Sequence, residues 1–473
     1  MEQIDLLLIN PPFHLRNGGG NFFPLGLGYL MAAAERNCDF SYKVIDCSKY
    51  ITSFYSDDLE FLKIQLCKEL QSYSPLAVGI GPCITTQVRA LKIIADCCKE
   101  IFSSSIIFAG GPLASIDDQE WFFYEYLGIE NIIKGDGEVA IIEALSCVMQ
   151  GKELSCCDKV TTKDHKFINK IPNINSIAFP TRLPLMDGKA SIRRSAETEL
   201  TRTASMITSR GCVYQCNYCV SGNISYKEFR KRSYENIAEE MLQINKEYGV
   251  NDVIFYDDCF FHNPQTANKD IYLFCRLLLE RKINMKWQME IRPDLLMELN
   301  NESILLLEKS GCRQINIGIE KTSIEGLNFL GKKISLYGLA ENITQVKKVS
   351  NIHISGTFIL GGGDENVSDI MKIIDDSTNL NLDFAHYNPL FVYPGTPIYN
   401  MVFSNKEDWV SYILEDSLPW GEVVYENKYV NKDELLELVE HAYNKFYAKS
   451  KYRKSQMVSD RFNLKRGKYC ENV

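Results

Sequence analysis

The sequence predicts an α/β protein with two successive series of parallel strands and a short helical C-terminal region. Short apolar runs alternate with amphipathic helical segments along residues 1–150 and again along residues 201–400, and this alternation is typical of parallel sheets. Most of the runs end in Gly, Pro or a charged residue, at the sheet edge where ligands bind in such folds. A length of 473 residues also exceeds what one core usually organises.

The first series predicts a doubly wound parallel sheet over residues 1–150. Its predicted strands are residues 5–9, 42–46, 76–81, 105–110 and 129–134, and its predicted helices are 24–34, 58–71, 85–102 and 140–149. Neither G-x-G-x-x-G nor a Walker A motif is present, so the sequence offers little support for a nicotinamide or nucleoside triphosphate site.

Residues 151–200 predict a linker between the two series. Residues 151–170 are polar without a clear period, and residues 171–184 contain three prolines. This composition indicates an extended connector.

Three cysteines at the spacing C-x3-C-x2-C follow the first strand of the second series. Cys212, Cys216 and Cys219 are close enough in sequence for one loop to direct three thiolates at one small object. An iron-sulfur cube suits such ligands, and three ligands leave one of its four irons open to a small molecule. A structural zinc site would need a fourth Cys or His at close spacing, and none follows.

The second series predicts six strand–helix steps over residues 201–400. Its predicted strands are residues 204–208, 250–256, 285–291, 313–319, 352–360 and 384–392. Three of them end in a charged residue, namely Asp257, Arg292 and Glu320. Polar residues at the carboxyl ends of barrel strands line reaction chambers, so these three are candidate site residues.

Residues 401–473 predict a short helical region, with a helix that Asn431 caps. The net charge of −9 argues against nucleic acid as a partner. No apolar run approaches the length of a membrane span, and the first residues lack the basic segment of a secretory signal. The cysteines are scattered as in a reducing compartment, so we expect a cytoplasmic protein.

The cysteine motif in this setting resembles the signature of the radical S-adenosylmethionine (SAM) enzymes. That resemblance implies a partial (β/α)6 barrel over residues 201–400 and a [4Fe-4S] cluster held by Cys212, Cys216 and Cys219. It also implies that SAM binds the open iron and is cleaved to a 5′-deoxyadenosyl radical, with an external electron donor of the flavodoxin or ferredoxin type. By the same resemblance, SAM contacts fall on Tyr218, Asp257, Arg292 and Glu320.

The loops of the first series resemble the N-terminal cobalamin-binding domain of one radical SAM subfamily, the class B methyltransferase type. The resemblance rests on Asn10-Pro11-Pro12, Pro24-Leu25-Gly26-Leu27-Gly28-Tyr29, Gly110-Gly111-Pro112 and Gly135-Asp136-Gly137-Glu138. It implies a cobalamin-binding domain over residues 1–150. The D-x-H-x-x-G signature is missing, so no histidine ligand to cobalt is expected from this chain. The implied cobalamin contacts are Asn10, Pro12, Leu25, Gly26, Gly28, Gly81, Gly110, Gly111, Gly135, Gly137 and Glu138.

The resemblance implies a methyltransferase that acts on an unactivated carbon or phosphorus centre of a small molecule or peptide, using methylcobalamin and the 5′-deoxyadenosyl radical. Two alternatives stay open. One is radical chemistry without methyl transfer, such as cyclisation, dehydration or epimerisation. The other is a cobalamin carrier or sensor whose cluster is structural. No residue of the sequence identifies the catalytic groups or the substrate.

Overall fold

The structure is a computed structural model that describes residues 1–12, 23–37, 40–50, 56–182, 192–194, 200–222, 228–415 and 425–449. Its strands form a parallel sheet in the first half of the chain, a mainly parallel sheet in the second half, and a short antiparallel pair. No helix within those ranges combines the length and apolar character that crossing a bilayer requires.

The first sheet has five parallel strands in the order β2-β1-β3-β4-β5. Strand β1 lies between β2 and β3 and is covered on both faces, and its residues 6–9 are each at most 1% exposed. The order reverses between β1 and β3, and ligands of open α/β sheets bind beyond the carboxyl ends at such a point. The strands are β1 Glu2–Asn10, β2 Tyr42–Asp46, β3 Tyr73–Ile80, β4 Ile106–Gly110 and β5 Asn131–Ile133.

Helices cover both faces of this sheet, as the doubly wound prediction requires. Leu27, Met31 and Ala144 belong to the core on one face, and Leu66 and Leu91 belong to the core on the other. The helices are α1 Leu25–Asn37, α2 Ser56–Leu70, α3 Val88–Ile101, α4 Pro112–Ser115 and α5 Gly137–Met149.

The second sheet has six parallel strands and one antiparallel edge strand, in the order β14-β13-β12-β11-β10-β7-β6. The six parallel strands match the six predicted steps, whereas the antiparallel edge strand was not predicted. Its strands are β6 Ile192–Arg194, β7 Leu200–Met206, β10 Asp252–Phe255, β11 Lys286–Ile291, β12 Cys312–Glu320, β13 His353–Leu360 and β14 Phe384–Pro389; the separate antiparallel pair is β8 Ser209–Arg210 and β9 Arg230–Lys231.

Helices pack on the outer face of the second sheet around one large core. Ser233 caps the first of them by accepting a hydrogen bond from the amide of Asn236. The helices between its strands are α6 Tyr234–Tyr248, α7 Ala267–Glu280, α8 Pro293–Met297, α9 Asn301–Lys309, α10 Ile324–Phe329, α11 Leu339–Val349 and α12 Val367–Asn379.

The C-terminal helices are divided between the two cores. Trp409, in α14, is fully buried in the core of the first sheet. Tyr443, in α15, is buried in the core of the second sheet, where its hydroxyl accepts a hydrogen bond from the amide of Tyr387 in β14. The last helix therefore covers an edge strand that would otherwise be open to pairing. These helices are α13 Pro397–Val402, α14 Lys406–Glu415 and α15 Lys432–Lys449.

Parts of the predicted linker also pair with the sheets. Thr161 forms a bridge with Ile132 beside β5, and Asn169 forms one with Gly135. The stretch from 151 to 170 is therefore attached to the first sheet, while β6 belongs to the second.

Candidate functional site

A cavity lies between the carboxyl edge of the first sheet and the segment that leads to Cys212. Its volume is about 340 Å³. Apolar side chains such as Leu8, Phe108 and Ile141 form one wall, and residues 207 and 209–211 of the second half form part of another. Seven of the eleven residues predicted to contact cobalamin line it: Gly26, Gly81, Gly110, Gly111, Gly135, Gly137 and Glu138.

Two of these positions require glycine, because another segment of backbone lies close to each of them. Gly111 has φ +123°, and a Cβ placed there would lie 2.4 Å from the amide nitrogen of Cys83. A Cβ on Gly81 would lie 2.7 Å from the carbonyl oxygen of Gly110. Only glycine fits at these points, and the absence of side chains lets a ligand approach the backbone.

The other four predicted cobalamin residues, Asn10, Pro12, Leu25 and Gly28, do not line the cavity. Asn10 is buried and donates a hydrogen bond to Asp46 over 2.8 Å. A Cβ on Gly28 would meet the ring of Phe23 and the side chain of Pro180, so this glycine serves packing against the linker. The cavity therefore gives no support to the cobalamin contacts predicted for these four residues.

The three cysteines follow a segment that Asp257 holds in place. Its carboxylate accepts hydrogen bonds from the amides and hydroxyls of Thr208 and Ser209, at 2.5–2.9 Å. Asp257 is only 2% exposed. Because both oxygens of Asp257 face this segment, the structure does not support the SAM contact predicted for Asp257.

Burial raises the pKa of all three thiols, that of Cys219 to about 11. Binding a metal cluster as thiolates would therefore release protons. Within the described ranges, no three His, Cys, Asp or Glu side chains converge on a point that would hold a single ion. The thiolates of a cube bind different irons and need not converge, so the cluster assignment of Cys212, Cys216 and Cys219 stays a prediction.

Arg210 joins the cysteine segment to the first sheet. Its guanidinium donates to Asp136 over 2.6 Å and also pairs with Glu138. Asp136 in turn accepts from Arg230, so two arginines of the second half share one buried carboxylate of the first. Glu138 lines the cavity and its carboxylate pairs with Arg210, so its predicted cobalamin contact stays a prediction.

Glu320 forms a second polar group near the cysteines. The hydroxyl of Tyr218 donates to its Oε1 over 3.2 Å, and the ammonium of Lys332 lies 3.1 Å from the same atom. Glu320 has φ +68°, in the left-handed region, and the strand register shifts between Gly318 and Glu320. A non-glycine residue keeps such a strained backbone only where its surroundings impose it, and such residues cluster at functional sites. The predicted SAM residues Tyr218 and Glu320 are thus in direct contact.

Arg292 lies against the cysteine loop. Its guanidinium stacks 3.7 Å from the ring centre of Tyr214, hydrogen-bonds Cys216 and pairs with Asp294 over 3.0 Å. The structure therefore places Arg292 beside the predicted cluster ligands, and its predicted SAM contact stays a prediction.

The sequence interpretation missed residues of the cavity wall in the second half, notably Arg210, Tyr256 and Asp258. Asp258 lines the cavity, whereas its neighbour Asp257 points away from it. The aspartate pair at the strand end was a recognisable signal, but it did not tell which of the two side chains faces a ligand. For Arg210, the only signal in the sequence was its position two residues before Cys212.

Comparison with known proteins identifies relatives over most of the chain. Residues 206–377 match the model of the Radical SAM superfamily. An uncharacterized methyltransferase of Pyrococcus horikoshii is 26% identical over 466 residues, which cover 95% of this chain and 94% of that protein. Cytidylyl-2-hydroxyethylphosphonate methyltransferase of Streptomyces wedmorensis is 22% identical over 384 residues, covering 72% of this chain and 69% of that protein.

A solved structure shares the fold. The radical SAM methyltransferase TsrM of Kitasatospora setae, determined with cobalamin and a [4Fe-4S] cluster, has a TM-score of 0.63 at 18% identity, covering 87% of this chain and 76% of that one. The predicted fold class, a doubly wound sheet followed by a partial barrel and a helical C-terminal region, is confirmed.

Proposed function

We propose that this chain, whose residues 206–377 match the model of the Radical SAM superfamily, is a cobalamin-dependent radical SAM methyltransferase. Its substrate centre would be an unactivated carbon or phosphorus atom. Relatives named as methyltransferases, one of them aligned over nearly the whole chain, support the reaction class.

The observation that carries the proposal is the cavity between the two halves. Glycine-rich strand ends of the first sheet and the residues just before Cys212 line the same space. A cofactor bound at the first sheet would therefore lie next to the predicted cluster loop. Its walls are largely apolar, and the glycines let a broad ligand approach the backbone.

The residues present fit the implied cofactors. When bound, the cluster with SAM supplies a 5′-deoxyadenosyl radical and cobalamin supplies the methyl group. Cys212, Cys216 and Cys219 would hold the cluster through thiolates. Glu320, which Lys332 keeps paired, would accept hydrogen bonds from SAM, and Tyr218 would hold the Glu320 carboxylate in position.

We further propose residues 1–150 as the cobalamin-binding unit, 151–200 as the connector, 201–400 as the radical SAM barrel and 401–473 as the helical C-terminal region. Gly81, Gly111 and Gly135 would lie against the corrin ring or its side chains, as their place in the cavity supports. The substrate would be a small molecule or peptide, and a flavodoxin or ferredoxin would supply electrons.

The test is a reaction of the reconstituted protein with reductant, cobalamin and SAM labelled at its methyl group. The expected products are 5′-deoxyadenosine and a labelled substrate. Deoxyadenosine without any methylated product would replace the proposal with non-methylating radical chemistry. Failure of the reduced, fully loaded protein to cleave SAM would instead indicate a carrier or sensor.

A further inference from the structure

The inner face of the second sheet carries a row of polar residues that the proposed cofactors do not use. In β11, Trp287, Met289 and Ile291 are buried in the core with the outer helices. Side chains alternate along a strand, so Glu290 points to the opposite, inner face. This face is the one that polar residues of barrel enzymes use for their ligands.

Strand register extends the row across three strands. Glu290 pairs with Asn316 in β12, and Asn316 pairs with Ser355 in β13. Residues paired in register project on the same side of a parallel sheet. Glu290, Asn316 and Ser355 therefore lie side by side on the inner face, and we refer to them as the inner polar row.

Two members of the inner polar row have polar atoms that the described residues leave unsatisfied. The hydroxyl of Ser355 is fully buried and has no hydrogen-bond partner among the described residues. A buried polar atom is costly without a partner, so a group from outside the chain is expected there. Asn316 accepts from Gln314 through its Oδ1, over 2.7 Å, and its amide nitrogen remains available to donate.

No described residue pairs with the carboxyl group of Glu290. Protein surrounds it on most sides although water reaches it, as expected on a concave wall. Burial, followed by the negative charges of Asp258, Glu320 and Asp257, raises the pKa of Glu290 to about 7.

The nearby cations are already paired. Lys332 pairs with Glu320, and Arg292 pairs with Asp294. Among the residues that the structure describes, the inner polar row thus has an excess of negative charge that no unpaired cation balances.

The row adjoins the cavity. Ile254 of β10 pairs with Gln288 of β11, two residues before Glu290, and Tyr256 follows the last residue of β10. The charge of Asp258 acts on the carboxyl group of Glu290. Tyr256 and Asp258 both line the cavity next to the cysteine segment. A ligand on the inner polar row would therefore lie within reach of chemistry at that cavity.

We propose that the inner polar row binds the substrate and that the substrate carries an amine. The ammonium group of the substrate pairs with Glu290. A hydrogen-bond acceptor and a hydrogen-bond donor of the substrate face Asn316 and Ser355. This inference rests on the proposed function and adds the substrate class to it. Glu290 recognises the substrate amine by ionic attraction, and no covalent bond forms or breaks. Glu290 is therefore a specificity-determining residue, because its carboxylate selects a positively charged substrate.

The experiment measures binding separately from turnover. Reconstituted protein is titrated with phenethylamine and with its uncharged counterpart 2-phenylethanol, by ligand-observed nuclear magnetic resonance. The wild type should bind the amine at least tenfold more tightly than the alcohol. Glu290→Gln should remove that preference, whereas Glu302→Gln, at an exposed position in the first turn of α9, should keep it.

The pH dependence has a defined sign. Glu290 is mostly neutral below pH 7 and charged above it, while an alkylamine stays protonated throughout. The preference for the amine should therefore grow between pH 6 and pH 8 in the wild type and stay flat in Glu290→Gln. The titratable and charged neighbours that could contribute are Asp257, Asp258, Arg292, Glu320 and Lys332, and all of them are retained in this variant.

Equal binding of amine and alcohol to the wild type would overturn the inference, and so would a preference that survives in Glu290→Gln. Loss of SAM binding in Glu290→Gln with the amine preference intact would also overturn it, since Glu290 would then serve SAM. An amine preference in a protein that never cleaves SAM would support the amine site while refuting the proposed function.

Discussion

The guanidinium of Arg210 lies 2.6 Å from Oδ1 of Asp136 and thereby connects the two halves of the molecule at the cavity. Arg210 precedes the first predicted cluster ligand by two residues, and Asp136 belongs to the glycine-rich loop after β5. Arg230 shares the same carboxylate from the second strand of the short antiparallel pair. The position of the cysteine loop relative to the first sheet therefore depends on a buried ionic contact.

Replacing Asp136 with Asn should lower the free energy of unfolding by about 3–5 kcal/mol, because a buried arginine loses its charged partner. The side chains of Asp136 and Arg230 are 2% and 4% exposed, so solvent screens their contact little. Urea denaturation followed by circular dichroism measures the change. As a matched control, Glu130→Gln removes the exposed pair with Lys163 and should cost at most about 1 kcal/mol.

The same contact has a pH dependence. Burial by itself would raise the pKa of Asp136, but the hydrogen bond from Arg230 and the charge of Arg210 lower it overall. A lowered pKa contributes stability that is complete above the ordinary carboxyl pKa and is lost as the pH falls through the folded value. The wild type should therefore lose more stability below pH 4 than Asp136→Asn does. Parallel acid profiles would refute this assignment.

Glu320→Gln should weaken SAM binding by about tenfold to a hundredfold, since a charged acceptor is replaced by a neutral amide. Equilibrium binding of SAM to the reconstituted protein measures the change. Glu325→Gln, at an exposed position in the next helix, is the matched control and should bind SAM as the wild type does. An unchanged dissociation constant in Glu320→Gln would rule out the proposed contact.

Gly111→Ala should reduce both stability and the cobalamin that copurifies. A Cβ there would lie 2.4 Å from a backbone nitrogen at φ +123°, a strain of about 1–3 kcal/mol. Gly151 also has positive φ, at +66°, but a Cβ there meets nothing within 4 Å. Gly151→Ala should therefore cost only about 1–2 kcal/mol and leave cobalamin content unchanged. Equal corrinoid absorbance in the two variants would contradict the proposed site.

Replacing Cys212, Cys216 and Cys219 together with Ala should reduce the iron content from about four atoms per chain to background. The exposed Cys156 provides a control, because Cys156→Ala should keep full iron content and turnover. The measurements are iron analysis and the ultraviolet–visible spectrum of anaerobically reconstituted protein. If the triple variant retained its iron and still cleaved SAM, the proposed mechanism would be refuted.

Much of the fold was predictable because its signals are local. The alternation of apolar runs and helical segments identified all five strands of the first sheet and six of the second. The cysteine spacing resembled the signature of the superfamily whose model matches residues 206–377, and seven of the positions predicted from the glycine-rich loops line one cavity. The unpredicted strand, β6, has only three residues, and strand signals are weak at that length.

The sequence by itself determined the strand–helix order and the motifs, since spacing and periodicity are properties of neighbouring residues. Tertiary structure decided that Asp258 rather than Asp257 faces the cavity and that Arg210 meets Asp136. It also decided that Glu290, Asn316 and Ser355 share one row. These relationships join residues 26 to 74 positions apart in sequence or depend on which face a strand end presents. They arise from strand register and sheet packing, which no local pattern encodes.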